Sequence, residues 1–113
     1  MKPTILTGKD NLFLNIEDRR TGRIYIRGAQ VKDRYTILES FWNEAQEHGH
    51  TNVYDRFYSR EEGRIVVDER AKAIVVSNTN HKLFNEETIR ELLTQYVKEK
   101  LPGYTLKISE DEK

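Results

Sequence analysis

The spacing of the apolar residues changes near residue 31, and this change constrains the fold more than any other feature of the sequence. Leu12, Leu14 and Ile16 stand two residues apart, as do Ile24 and Ile26, which is the two-residue period of a β-strand. A different period follows, in which the apolar residues recur every three or four positions: Val31, Tyr35, Leu38, Trp42 and Ala45. A β-hairpin followed by an amphipathic helix over residues 32–48 is therefore predicted.

Local signals mark the ends of these elements. Gly22 falls in the segment EDRRTG between the two strands, where a turn needs a residue that tolerates positive φ. Asp33 is a suitable N-cap for the helix, and Gly49 stands where a left-handed residue is expected after a helix.

The second half of the chain repeats the pattern of strands and helix. We predict strands over 52–58, at RIVV and at AIVVS, with REEG and DERAK as the turns between them. Asn85, followed by two glutamates, predicts the start of a second helix, which Leu101-Pro102-Gly103 would end before a strand over 104–108. The hairpin sequences IEDRRTGRIYI and VVDERAKAIVV resemble each other weakly, which leaves an internal duplication open.

The predicted fold is an α+β single domain over residues 1–113 with the element order ββαβββαβ. The pattern favours a mostly antiparallel sheet with two helices packed on one face. We expect residues 1–10 and 109–113 to be frayed, since chain ends are poorly ordered unless other elements hold them. A length of 113 residues agrees with one domain.

Composition indicates the cellular compartment in which the protein is expected. The chain has no cysteine, which excludes disulfides and zinc–thiolate sites and favours a reducing compartment. The sequence shows no apolar run long enough to cross a bilayer and no apolar segment of a signal peptide. We therefore expect a soluble cytoplasmic protein without a membrane partner.

Charge is balanced in total and uneven in position. The sequence has 19 basic and 19 acidic residues, so no net field attracts nucleic acid. Nine of the ten arginines, however, lie between Arg19 and Arg70, and residues 19–34 contain six basic residues against one acid, a local excess of five. Any surface that binds phosphate would come from this part of the chain, although arginines also serve simply to solvate strand surfaces.

Arginines and tyrosines also alternate along residues 54–60. On a strand, Tyr54, Arg56, Tyr58 and Arg60 would share one face, on which bases stack and phosphates pair. A half-buried strand with its tyrosines packed beneath a helix would produce the same pattern. The candidate residues for binding nucleic acid or phosphate are Arg19, Arg20, Arg23, Arg27, Tyr54, Arg56, Tyr58 and Arg60.

The three histidines are candidate metal ligands. His48 and His50 have the spacing H-x-H, and His81 lies in a polar segment further along the chain. The favoured interpretation is structural, with His48 at the C-terminal end of the first helix and His50 in a loop, because Gly49 between them turns the two rings in different directions. We expect no metal or other cofactor.

The function that these features favour is that of a small non-catalytic binding or regulatory module. Its partner would be nucleic acid or an acidic protein, contacted through the arginine- and tyrosine-rich surface. Two alternatives stay open: a metal-assisted phosphodiesterase or nucleotide-handling enzyme centred on the histidines, and an assembly subunit that forms homo-oligomers through an edge strand.

Overall fold

The computed structural model describes residues 1–77 and 86–108, and its strands form one six-stranded sheet in the order β1-β3-β2-β4-β5-β6. The elements in chain order are β1 (Thr4–Leu6), β2 (Asp10–Asp18), β3 (Ile24–Ala29), α1 (Arg34–Glu47), α2 (Val53–Arg56), β4 (Phe57–Asp68), β5 (Ala73–Ser77), α3 (Glu86–Lys100) and β6 (Thr105–Ile108).

The central strands pair antiparallel and the two edge strands pair parallel. Antiparallel pairing joins β2 to β3, β2 to β4 and β4 to β5. The edge strands β1 and β6 run parallel to β3 and β5, and α3 makes the crossover that the parallel pair β5–β6 requires. The prediction of an α+β fold with a mostly antiparallel sheet is confirmed.

The two long helices lie on opposite faces of the sheet, which corrects the expectation that they share one face. Leu14 belongs to the core beneath α1, whereas its neighbour Phe13 belongs to the core beneath α3. Consecutive strand residues point to opposite faces, so both faces of β2 are buried. The run Leu12-Phe13-Leu14 carried this information, because three consecutive apolar residues are typical of a strand covered on both sides.

The predicted strand over 52–58 is wrong for its first part. Asn52 adopts a left-handed conformation with φ of 55°, and α2 follows as a single helical turn whose Val53 is buried in the core beneath α1. Strand β4 then runs from Phe57 to Asp68 without the predicted turn at REEG, interrupted only by a bulge opposite Asn15 and Ile16.

Gly63 lies within the continuous strand β4 and not in the predicted turn between two strands. The sequence suggested a turn glycine, but Gly63 lies in the sheet opposite Phe13, and Gly28 flanks Phe13 on its other side. At Gly28 a Cβ would lie 2.8 Å from a side-chain atom of Leu6 and 3.1 Å from the Cβ of Asn11, so this glycine permits close packing on the sheet. Gly63 therefore lies within a strand and not in a turn.

Several predictions of element ends are confirmed. Gly22 and Gly49 have φ of 77° and 86°, and the Asp33 side chain accepts a hydrogen bond from the Tyr35 N–H at the start of α1. Residues 1–10 differ from the expectation of fraying, because Thr4–Leu6 pairs with β3 and Asp10 begins β2. The predicted helix cap Asn85 and the predicted frayed end 109–113 lie outside the described residues.

Candidate functional site

The turn between β2 and β3 is held by hydrogen bonds at each of its ends. The Asp18 carboxylate accepts a hydrogen bond from the Arg20 N–H at 2.9 Å, and the Asp18 carbonyl accepts one from the Gly22 N–H at 2.7 Å. The Asp18 N–H in turn donates to the Arg23 carbonyl at 2.9 Å. This defined turn presents the side chains of Arg19, Arg20 and Arg23, all of which are exposed.

Asp18 is also one half of a largely buried ion pair. The Arg56 guanidinium donates through Nε and Nη2 to the two carboxylate oxygens of Asp18, each at 2.9 Å. The Asp18 side chain is only 3% exposed and that of Arg56 15%. The hydrogen bonds from Arg56 lower the pKa of Asp18 from 3.8 to about 2, against the opposing effect of burial. Arg56 therefore fixes the turn to α2 and is not free to bind phosphate.

His50 completes this group. Its Nδ1 lies 3.1 Å from Arg56 Nη1, and because a guanidinium can only donate, Nδ1 accepts and the ring proton resides on Nε2. The His50 ring meets Phe57 edge-to-face, with the ring centroids 5.5 Å apart. His50 thus has structural partners on both α2 and β4.

His48 has a separate structural partner. Its Nδ1 donates to the Glu44 carbonyl at 3.0 Å, which satisfies one of the last carbonyls of α1. His81, the third candidate metal ligand, lies outside the described residues. Among residues 1–77 and 86–108, no group of three or more histidine, aspartate or glutamate side chains is arranged to hold a metal ion.

A second cluster lies on the opposite face of the sheet, the face that carries α3. The Tyr58 hydroxyl donates to Glu17 Oε1 at 3.0 Å, and Arg60 Nη1 lies 3.3 Å from the same oxygen. The Arg19 guanidinium lies over the Tyr58 ring at 4.1 Å from the ring centroid. Burial is the main cause that raises the pKa of Tyr58, and its hydrogen bond to Glu17 acts in the same direction.

Tyr54 is separated from Tyr58 by the sheet. It packs edge-to-face on Trp42 of α1 with ring centroids 4.8 Å apart, and its side chain is 65% exposed. Trp42 is itself fixed by a hydrogen bond from its indole N–H to the Phe57 carbonyl at 3.1 Å. The predicted single face of Tyr54, Arg56, Tyr58 and Arg60 does not exist, because residues 53–56 are helical and not extended.

Arg27 belongs to the interior. Its guanidinium donates to both carboxylate oxygens of Glu44 at 3.1 and 3.0 Å, and it lies over the Phe41 ring at 5.1 Å from the centroid. Only 7% of its side chain is exposed. Arg27 therefore joins β3 to α1, and a phosphate could reach it only by displacing Glu44.

The structure thus divides the eight predicted residues. Arg27 and Arg56 make internal ion pairs, and Tyr54 lies on the α1 side. The other five come together at one end of the sheet, and we name them the arginine-turn surface: Arg19, Arg20, Arg23, Tyr58 and Arg60. The carboxylates Glu17 and Asp18 are not among the residues predicted from the sequence. Their ion pairs with Arg60 and Arg56 follow from the pairing of β2 with β4, which no local sequence signal reveals.

No family model and no curated protein matches the chain. The function is therefore inferred from the fold and from the geometry of the site. None of the helices in the described part of the chain is both long enough and apolar enough to cross a membrane.

Proposed function

We propose that this protein is a non-catalytic module that binds the phosphate backbone of nucleic acid through the arginine-turn surface. The observation that carries the proposal is that Arg20 and Arg23 are exposed on a defined turn and form no ion pair within the described residues. The neighbouring carboxylates Glu17 and Asp18 are both engaged by arginines from β4 and α2, so they compete less for an incoming phosphate.

The chemistry of the surface favours nucleic acid over an acidic protein. A guanidinium donates two parallel hydrogen bonds to a phosphate, and several guanidiniums on one turn match the repeating charge of a backbone. Arg19 over Tyr58 adds an aromatic and guanidinium surface on which bases stack, whereas the aspartate and glutamate side chains of an acidic peptide have no ring to place there. We place the module in the cytoplasm, as the cysteine-free sequence predicts.

The experiment is a binding titration by fluorescence anisotropy at low salt, with labelled single-stranded and duplex DNA and RNA and with labelled polyglutamate. We expect nucleic acid to bind, polyglutamate to bind more weakly, and the affinity for nucleic acid to fall steeply as salt is raised. No binding to any nucleic acid at low salt would overturn the proposal, and tighter binding of polyglutamate would replace it with an acidic protein partner.

A matched pair of variants locates the surface. The double variant Arg20→Glu/Arg23→Glu should lose at least tenfold in affinity, because two attractive charges become repulsive. Lys98→Glu/Lys100→Glu changes the net charge by the same amount on exposed residues near the end of α3, and it should retain most of the affinity. Equal losses in the two double variants would show that total charge, and not this surface, governs binding.

The two alternative functions predicted from the sequence differ in how far the structure supports them. The histidine-centred enzyme has no supporting geometry among the described residues, where His48 and His50 each bond within the protein. Homo-oligomers through the edge strands β1 or β6 stay a prediction, and native mass spectrometry on the same samples would detect them.

A further inference from the structure

We infer that the nucleic acid bound by this protein is single-stranded, and that one unpaired base stacks on the Arg19 guanidinium where it covers Tyr58. This inference rests on the proposed function and specifies its partner. It predicts a particular contact: a stack of three planar groups in the order Tyr58, Arg19 and base.

The first two layers of this stack are already assembled in the protein. The Tyr58 hydroxyl is held by Glu17 at 3.0 Å, and Arg60 holds the same Glu17 oxygen from 3.3 Å. These contacts fix the orientation of the tyrosine ring at the sheet surface. The Arg19 Cζ lies 4.1 Å from the centroid of that ring, so the guanidinium is held against the aromatic face before any ligand arrives, which reduces the entropy lost on binding.

The outer layer is open. Arg19 is exposed and forms no ion pair within the described residues, and we expect the side of its guanidinium that faces away from Tyr58 to accept a planar group. Arginine planes stack on bases while their N–H groups still donate in plane to phosphate oxygens. Arg20 follows Arg19 directly in the turn and can hold the adjoining phosphate.

This arrangement distinguishes single strands from duplexes. In a duplex the flat surface of each base is covered by its neighbours, and only base edges and phosphates are accessible in the grooves. A guanidinium can therefore stack on a base only where the strand is unpaired or at an end. The turn arginines alone would bind both single strands and duplexes through phosphate. The difference in affinity between the two ligands therefore measures the contribution of the stack.

The test compares four labelled ligands of equal phosphate number at one salt concentration: a single strand, a strand with abasic sites in its central positions, a duplex of half the length and a single strand of the other sugar. We expect the intact single strand to bind about tenfold more tightly than the abasic strand, which is the usual size of one base–side chain stack. The duplex should resemble the abasic strand.

The variant Arg19→Lys isolates the stack because it keeps the charge and removes the planar group. We expect the ratio of its affinities for the intact and the abasic strand to fall from about tenfold to near one, whatever the change in its affinity for the abasic strand. Arg70→Lys, at an exposed position on the turn between β4 and β5, is the control, and it should keep that preference. Thermal melts of both variants check the fold, which substitution of these exposed side chains should leave unchanged.

The failure of this inference is distinguishable from the failure of the proposed function. Salt-sensitive binding with equal affinity for intact, abasic and duplex ligands, unchanged in Arg19→Lys, would overturn the stack and leave the phosphate-binding module standing. Absence of binding to all four ligands would overturn both proposals.

Discussion

The turn between β2 and β3 and the turn between β4 and β5 close their hairpins in similar ways at opposite ends of the sheet. In each turn an aspartate at the end of the first strand accepts a hydrogen bond from the N–H two residues later. The distance is 2.9 Å from Arg20 to Asp18 in the first turn and 3.1 Å from Arg70 to Asp68 in the second. Four residues after each aspartate, Gly22 or Lys72 has a positive φ, of 77° or 51°.

The side chains of the two turns differ far more than their backbones. Asp18 is buried against Arg56, whereas Asp68 is exposed and makes no ion pair within the described residues. The first turn has only arginines among its charged residues after the aspartate. The second has mixed charges, with Glu69 paired to Lys9 at 3.1 Å. A common backbone arrangement therefore supports two different surfaces, and the proposed binding role belongs to the first alone.

The largest difference expected between the turns is in the role of their aspartates. Asp18→Asn should lower the free energy of unfolding by roughly 2–3 kcal/mol, because it leaves Arg56 without its counter-charge while the amide oxygen can still accept the turn hydrogen bond. Asp68→Asn should change it by less than about 0.5 kcal/mol. Urea unfolding followed by the fluorescence of Trp42 measures both, and similar losses in the two variants would contradict the assignment of Asp18 as a structural anchor.

Acid should remove the same contribution reversibly. The folded-state pKa of Asp18 is lowered from 3.8 to about 2, so its carboxylate stabilises the fold above pH 4 and loses that effect as pH falls toward 2. The shift corresponds to about 2 kcal/mol. The gap in stability between the unmodified protein and Asp18→Asn should therefore narrow over this pH range. A gap that stays constant from pH 5 to pH 2 would rule out this linkage.

A smaller effect should follow from exchanging the left-handed residues of the turns. Gly22→Ala should destabilise by about 1 kcal/mol, since a Cβ is disfavoured at positive φ even though it would meet no atom within 4 Å. Lys72→Gly relieves the same strain in the second turn and should stabilise by up to about 1 kcal/mol, less the added freedom of the unfolded chain. Thermal unfolding measures both effects, which should have opposite signs. Effects of the same sign would show that the two turns are not equivalent.

The smallest effect on stability is expected for the arginines at matching positions. Arg20→Gln and Arg70→Gln should each change the free energy of unfolding by less than about 0.5 kcal/mol, because both side chains are exposed and neither forms an ion pair within the described residues. Urea unfolding of the two variants tests this. A large loss for Arg20→Gln would show that the residue serves the fold rather than a ligand.

The sequence predicted the local architecture where residues act through neighbours along the chain. The hydrophobic periods, the Asp33 cap and the glycines at 22 and 49 all report on contacts within a few residues, and the structure confirms them. The run Leu12-Phe13-Leu14 indicates a strand covered on both faces. Which helix covers which face depends on the order of the strands in the sheet, which the apolar pattern does not determine. For the same reason Gly63 was interpreted as a turn residue when it lies beside Phe13 in the sheet.

The candidate site was predicted only in part for a related reason. Charge counting found the basic segment but does not distinguish an arginine that is neutralised in the interior from one that faces solvent. Arg27 and Arg56 meet Glu44 and Asp18, which are 17 and 38 residues away in the chain. Such partners become visible only when the strand register and the helix positions are known.

The central claim is that exposed and unpaired arginines of the first turn, and not arginine content, bind the ligand. The most direct test measures the affinity for a single-stranded oligonucleotide over a range of salt concentrations in the unmodified protein, Arg20→Gln and Arg70→Gln. Loss of one phosphate contact should reduce the slope of log K against log salt by about 0.7 in Arg20→Gln. Arg70→Gln, which removes the same charge from the equivalent position of the second turn, should retain the full slope. Equal slopes in the two variants would contradict the account.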